Sequence, residues 1–499
     1  MRRKRSILNI FGSLGSYGVS VIFNFLTQMY IVKLLGVEYS GINGLFTNIL
    51  TMLSIAELGI GITIIYKLYD PIAKKDTEGI KAWLNFYKIC YRVVAISVLV
   101  VGLLVTPFIT MIVGKTAIRE SIKILYIISL LDTVLSYCMT YKRSLIYADQ
   151  KNYIINIVHI GYTVFMNTTQ IFVLFVLKDY TVFLLIKLVY RLLENIILNV
   201  YANKNYPYIK EKPQEISKTE KRDVFDRVRS MILQKISYVF NKGIDSVVIT
   251  SMLGLSVSGY YANYNLIVSS ITAIIFQIVS SMTASVGNLL TERNHEKSYS
   301  VYKKINMLDS LLTAFGVCGF ISVINDFIAL WIGSKYILNS FIVVSFGIFI
   351  YSDSIRRTMT LFKDSAGICK EDKYNYLVMA LINLVCSVVL CKFIGMSGVI
   401  LGTAISYIYL ILYSYPKYIF KPIFQKKAIL YYMENGKYLL MIVVSSLMSY
   451  YVTSMVDVRS LIFQIVLKGI LSILIALVCF VIFFFNSEEL KSVRKNLFG

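Results

Sequence analysis

Apolar runs of twenty or more residues recur from one end of the chain to the other, separated by short polar stretches bearing charge, glycine or proline. Breaking them at those junctions predicts fourteen helical spans, at about 7–32, 40–68, 83–112, 118–147, 153–178, 180–202, 229–253, 258–290, 301–332, 337–366, 374–394, 396–419, 432–455 and 460–485. Each is long enough to cross a hydrocarbon core of ~30 Å. The opening Met-Arg-Arg-Lys-Arg before an apolar run imitates a secretion signal, but the run is too long and no A-x-A-like site follows. It reads as an uncleaved first span. The predicted fold class is therefore all-α, a polytopic membrane protein.

Composition agrees: of 499 residues, 57% are hydrophobic and 16% charged, and mean hydropathy is +0.67. That balance excludes a secreted disulfide scaffold, a nucleic-acid-binding domain and a conventional cytosolic enzyme. The net charge of +23 needs its own account. With both termini placed in the cytoplasm, 33 Lys and Arg fall on inner segments, 8 on outer ones and 10 inside spans. The basic excess is thus a positive-inside signal for the cytoplasmic membrane, reinforced by attraction to anionic membrane lipids. The seven cysteines show no C-x-x-C and fall almost entirely within spans, so neither disulfide nor metal is expected.

The largest polar segment, 203–228, holds Pro207, Pro213 and alternating charge, and reads as a linker between two bundles. An internal repeat supports that division. Leu35-Gly36-Val37 followed by Ser40-Gly41 recurs as Leu253-Gly254-Leu255 followed by Ser258-Gly259, at a constant offset of 218. Both copies sit on the outer side, so the repeats share one orientation, as in transporters that rock two bundles about a cavity. The expected organisation is an N-lobe at 1–202, the linker, a C-lobe at 229–419, and an added helix pair at 420–499. That makes two pseudo-symmetric six-helix lobes plus two helices.

Charged residues inside spans are costly and mark bundle interiors or wet cavities. Lys88 and Arg92 share a face of span 3; Lys187, Arg191 and Glu194 share one of span 6; Lys242 and Asp245 lie with Tyr238 on span 7. Span 10 carries Asp353, Arg356 and Arg357. Arg191, Lys242, Arg356 and Arg357 lie well inside their spans and predict a cationic cavity for a phosphate or pyrophosphate. Arg92, with Asn24 and Gln28 on span 1, joins the candidate substrate-binding set. Glu57 and Asp132, the latter aligned with Ser136, Thr140 and Arg143, read as isolated carboxylates able to bind H⁺ or Na⁺ during a cycle.

A structural reading competes with each of these. Arg191 with Glu194, Lys242 with Asp245, and Asp353 with Arg357 stand three or four positions apart and can neutralise one another. Arg356 has no acidic residue four positions away on either side, so pairing is less available to it. Asn24 and Gln28 can serve as glue between helices, and Lys88 can snorkel to the interface. His159, alone on an apolar face, reads as structural.

Several segments carry a family resemblance: K-L-L-G-V-E-Y-S-G-I-N-G-L-F at 33–46, A-E-L-G-I-G at 56–61, Y-K-L-Y-D-P-I-A-K-K-D at 66–76, K-N-Y-P-Y at 204–208 and G-M-S-G-V-I-L-G-T-A-I-S at 395–406. In their order and spacing the chain resembles the Wzx-type flippases, the polysaccharide transporter branch of the multidrug/oligosaccharidyl-lipid/polysaccharide exporter superfamily. The resemblance implies a two-lobed, V-shaped bundle that moves an undecaprenyl-pyrophosphate-linked oligosaccharide between leaflets by alternating access for capsular or other cell-surface polysaccharide. It implies no enzyme activity and no cofactor beyond a coupling H⁺ or Na⁺, and it makes polysaccharide polymerase and glycosyltransferases candidate protein partners. Glu57 matches the family's acidic span-2 position. Spans 13 and 14 are similar to the extra pair that forms a lipid-tail groove in lipid II flippases. Two other readings are a drug or cation antiporter of the same superfamily, disfavoured by the basic interior, and a membrane glycosyltransferase or polymerase, disfavoured by short outer loops. The absence of G-x-x-x-x-G-K-[ST] gives no sign of an ATPase.

Overall fold

The computed structural model describes residues 2–57, 60–138, 140–211, 215–368 and 371–491, with side chains at 2–7, 10, 55, 56, 60, 62, 227–235, 238 and 242 outside that description. Among the described residues the secondary structure is helical without strands. The α-helices are α1 (Arg2–Leu34), α2 (Val37–Leu53), α3 (Ile60–Lys74), α4 (Thr77–Val113), α5 (Ile122–Cys138), α6 (Thr140–Ala148), α7 (Asn152–Val176), α8 (Tyr180–Asn205), α9 (Lys218–Leu253), α10 (Leu255–Ser280), α11 (Thr283–Thr291), α12 (His295–Trp331), α13 (Ser340–Ala366), α14 (Lys373–Ile394), α15 (Met396–Tyr409), α16 (Lys421–Phe424), α17 (Ala428–Ser454) and α18 (Leu461–Phe484). Joining α2 with α3, α5 with α6, α10 with α11 and α15 with α16 gives one rod for each predicted span.

Side-chain caps start many of the rods. Asp76, Asp179, Asn294 and Asn339 each accept a backbone N–H three residues on, and Ser217 with Glu220 forms a capping box at α9. Between α15 and α16 the chain continues through π-turns at Leu410–Ser414 and Pro416–Phe420; Pro416 and Pro422 lack the N–H that regular helix bonding needs, and wider turns absorb the gap. By length and composition, seven helices qualify as membrane spans among the described residues, or eight with the bent α5–α6 pair. α8 and α13, absent from those seven, carry their charges at mid-length.

The chain packs as two compact units, 1–262 and 263–499. In the first, α9 packs on α2, α3 and α4, so packing groups span 7 with the N-terminal rods, whereas the sequence reading sets the boundary at the linker. Tight contact between the repeat copies accounts for this. A Cβ on Gly41 would lie 2.5 Å from the Leu255 carbonyl oxygen, and one on Gly259 would lie 2.1 Å from that of Val37. Gly36 and Gly254, at φ 112° and 90°, make the turns that deliver both crossing segments. Gln28 on α1 donates to Ser40 there, and Glu38 accepts from Thr116 at 2.6 Å, the Ala117 N–H at 2.8 Å and Ser256 at 2.8 Å.

In the second unit α14 and α15 pack at backbone distance. A Cβ on Gly398 would lie 2.3 Å from the Leu390 backbone, and one on Gly402 2.5 Å from Ser387 Oγ, the small-xxx-small device of helices in lipid. α18 lies on α12 and α17, held by Asp326, which accepts from Lys468 at 2.7 Å and Gln464 at 3.1 Å.

Candidate functional site

α8 presents Lys187, Arg191, Glu194 and Asn195 toward α5, α6 and α7. Arg191 Nε bonds Asp132 of α5 at 3.2 Å and its Nη1 bonds Glu194 at 3.0 Å. Lys187 takes the second Asp132 oxygen at 3.1 Å. Arg143 of α6 reaches Glu194 at 2.8 Å, and His159 Nδ1 of α7 lies 3.1 Å from its other oxygen. The Arg191 guanidinium lies 4.9 Å from the centre of the Tyr162 ring, a cation–π contact. Glu194, 1% exposed, is stabilised in its charged form only because these donors surround it.

Two carboxylates thus face three permanent cations, leaving a positive excess in the bundle interior. Lys187 also lines a polar cavity of about 140 Å³, with Asn43, Thr47 and Thr51 of α2 and Ser129 and Thr133 of α5. An anion entering there meets several hydroxyls and the Lys187 ammonium, which it would share with Asp132.

Glu57 ends a 3₁₀ turn, Ser54–Glu57, that breaks the second rod. The Tyr91 hydroxyl donates to it at 2.9 Å, and Tyr137 is a second phenol neighbour. Among the described residues no Lys or Arg pairs with it. Asp132 is different: the sequence reads it as isolated, and the structure corrects this, because Lys187 and Arg191 from α8 clamp both its oxygens.

In the second unit, Arg357 pairs with Asp309 of α12 and, at 3.2 Å, with Asp353. Thr358 adds a bond to Asp309 at 2.8 Å. Arg356 takes the other Asp353 oxygen at 2.6 Å and lies 5.0 Å from the Tyr407 ring centre. Two guanidiniums and two carboxylates cancel. The expectation that pairing is less available to Arg356 is therefore corrected: Asp353 sits three positions back, on the same helical face.

The remaining candidates do not join either cluster. Gln28 is buried and spent on the α1–α2 contact, as helix glue. Asn24 is exposed. Arg92 is exposed on α4, near Tyr141. The Lys242 side chain lies outside the described residues. Asp309 escaped the sequence reading, since its partner lies 48 positions away; Arg143 and His159 were noticed without their shared partner Glu194.

A cavity of about 410 Å³ lies between α12, α13 and α17, with Val317, Ile321, Val343, Ile348, Ile442 and Leu447 among its largely apolar walls. Of the added helix pair, only α17 lines it.

Charged interior clusters on long apolar rods define a multi-pass membrane protein, and comparison with solved structures shows which fold it has. Over 96% of this chain and 99% of the other, it is similar to a structure described as the lipid II flippase MurJ in an inward closed conformation, at 16% identity and a TM-score of 0.68. It is also similar to an inward-facing multidrug resistance MATE family transporter of the MOP superfamily, over 84% and 95% of the two chains, at 13% identity and a TM-score of 0.64. A third is a mutant of the Vibrio cholerae MATE transporter VcmN, over 87% and 98%, at 13% identity and a TM-score of 0.53. The class is thus a helical membrane protein with the MurJ and MATE transporter fold. A model of the polysaccharide biosynthesis protein family matches residues 7–286, more than half the chain, and the chain belongs to that family. No curated protein matches.

Proposed function

We propose that the protein is a flippase, carrying a pyrophosphate-linked oligosaccharide on a polyprenyl lipid across the cytoplasmic membrane by alternating access for surface polysaccharide synthesis. The observation that carries this reading is the unbalanced cluster on α8: three permanent cations on two carboxylates, with Lys187 opening into a polar cavity. A pyrophosphate is the natural partner of such an excess, because Arg forks and Lys ammonium groups bind its oxygens strongly at low dielectric. Family membership and the fold of MurJ, named a lipid II flippase, favour a lipid-linked cargo. A drug or cation antiporter fits less well, since a cationic drug would be repelled by that cluster.

In this reading Arg191, Lys187 and Arg143 hold the diphosphate. Arg356 and Arg357, neutralised by Asp353 and Asp309, act in structure and leave the binding role. Glu57, with phenol neighbours, is the candidate for binding a coupling H⁺ or Na⁺, since a carboxylate without a cationic partner gains most from a bound cation.

The test is leaflet sidedness of labelled lipid-linked oligosaccharide in proteoliposomes, read with a lectin or enzyme that reaches one leaflet only. The substrate should change leaflet only when the protein is present. No movement with a matched glycan and an imposed H⁺ or Na⁺ gradient would overturn the reading and turn attention to small cations.

A further inference from the structure

A second basic site lies in the first unit, separate from the α8 cluster. A cavity of about 280 Å³ between α4, α6 and the short turn Pro207–Lys210 is lined by Lys81, Asn85, Lys88, Tyr141, Lys210 and Glu211. Lys88 and Lys142 lie 5.9 and 5.7 Å from the centre of the same Tyr141 ring, which brings a fourth lysine, outside the lining itself, beside one of its wall residues.

The charges do not balance. Lys81 pairs with Glu78 at 2.6 Å and Glu211 at 2.8 Å, and those carboxylates, Glu211 first, hold its pKa above the ordinary value. Among the described residues, Lys88, Lys142 and Lys210 pair with no carboxylate. Buried Lys142 donates to amide oxygens, those of Asn199 and, at 2.8 Å, Asn203. Among the described residues, three ammonium groups and one carboxylate line the cavity, with Lys142 and Glu78 next to them.

Placement narrows the ligand. Arg143 and Lys142, adjacent on α6, meet α8 at different levels: Arg143 at Glu194 and Asn195, Lys142 at Asn199 and Asn203. At 1.5 Å per residue this puts the lysine site roughly 10 Å farther along α8, toward the end that the positive-inside pattern assigns to the cytoplasm. Lipid headgroups are expected toward that end of the helix. The cavity falls below the ~300–1,000 Å³ of typical small-molecule pockets, suiting a compact anion rather than an oligosaccharide. Lysines are point-charge donors suited to phosphate, and basic pockets between membrane helices on this side bind headgroups.

We propose that this cavity is a phosphate-binding site that takes the phosphate of an anionic lipid headgroup at the inner leaflet surface. It needs no transported cargo, so it stands apart from the flippase reading.

The experiment uses the full chain in nanodiscs of phosphatidylcholine with a minor fraction of phosphatidylglycerol, with native mass spectrometry reading the anionic lipid retained. Wild type should retain it, and Lys88→Gln/Lys210→Gln should retain at least fivefold less. Lys421→Gln/Lys427→Gln, which removes two exposed charges from another predicted inner segment, should retain it as wild type does. A second arm measures the thermal shift with inorganic phosphate in lipid-free neutral detergent. Stabilisation of wild type but not of the cavity variant, without a difference in lipid retention, would assign the same site to a soluble phosphate. Lys210 is exposed, so Lys210→Gln alone covers a folding failure of the double variant. Equal retention and equal phosphate response in wild type and cavity variants, or equal loss in the control, would overturn the proposal.

Discussion

The two units each bury a cluster of charge, and the clusters have opposite balance. On α8 the cations outnumber the carboxylates and one of them opens to a polar cavity. On α13 two arginines meet two aspartates and the charge closes on itself. On the proposed reading, an arginine well inside a span marks a candidate binding site only when its cluster carries more cations than carboxylates. The largest predicted effect follows from the closed cluster. Arg357→Ala leaves Asp309, 0% exposed, buried without its main cation, and should cost about 3–5 kcal/mol of stability, read by thermal unfolding in detergent. Pairing it with Asp309→Leu should recover part of that loss, because the orphaned charge is gone. A stable Arg357→Ala protein that fails only in transport would break the comparison and return Arg357 to the binding set.

Arg191→Ala makes the opposite prediction. Asp132 keeps Lys187, and Glu194 keeps Arg143 and His159, so the fold should survive with a loss nearer ~1–2 kcal/mol. Leaflet transfer should fall by at least about tenfold, the equivalent of one charge-assisted contact to phosphate. Protein abundance in the membrane, measured beside transport, separates the two effects. Normal transfer by Arg191→Ala would remove this cluster from the cargo site.

The rods were legible because lipid forces long apolar runs, and among the described residues each predicted span has its helix or helix pair. Gly41 and Gly259, equivalent in the repeat read from the sequence, meet in the structure. Charge pairing was legible only where it is local. Arg191 with Glu194 lies within one helical turn, whereas Asp132 with Arg191, Arg143 with Glu194 and Asp309 with Arg357 join helices 48 to 59 positions apart. A helical face read from one segment cannot reveal what the opposite helix presents. The same limit made Asp132 look isolated; Arg356 looked hard to pair for a different reason, because that expectation rested on positions four away and its partner Asp353 stands three back on the same helix. Glu57 has phenols as its partners.

Glu57→Gln sharpens that contrast. The amide oxygen still accepts the Tyr91 hydroxyl, so stability should change by under about 1 kcal/mol, while the dependence of transfer on an imposed H⁺ or Na⁺ gradient should weaken. An unchanged response to collapsing the gradient would remove Glu57 from coupling, and Asp132→Asn would then be the next variant to measure.

The smallest effect is expected at the crossing of the two repeat copies. Burial pushes the Glu38 carboxyl up, but the Thr116 hydroxyl, the Ala117 N–H and the Ser256 hydroxyl outweigh it, so its pKa lies below the ordinary 4.5. A carboxylate held more acidic in the folded state adds stability that is fully present above the unfolded value and is lost as pH falls through the folded one. The contribution should therefore be intact at about pH 6 and fade below about 4.5. Partial exposure keeps it under about 1 kcal/mol. Thermal unfolding of wild type and Glu38→Gln at the two ends of that window measures it. Wild type should lose more stability than the variant on acidification, because only wild type has a carboxylate to protonate there. Equal losses would mean that the glycine crossing of Gly41 and Gly259 holds this end of the bundle without help from the charge.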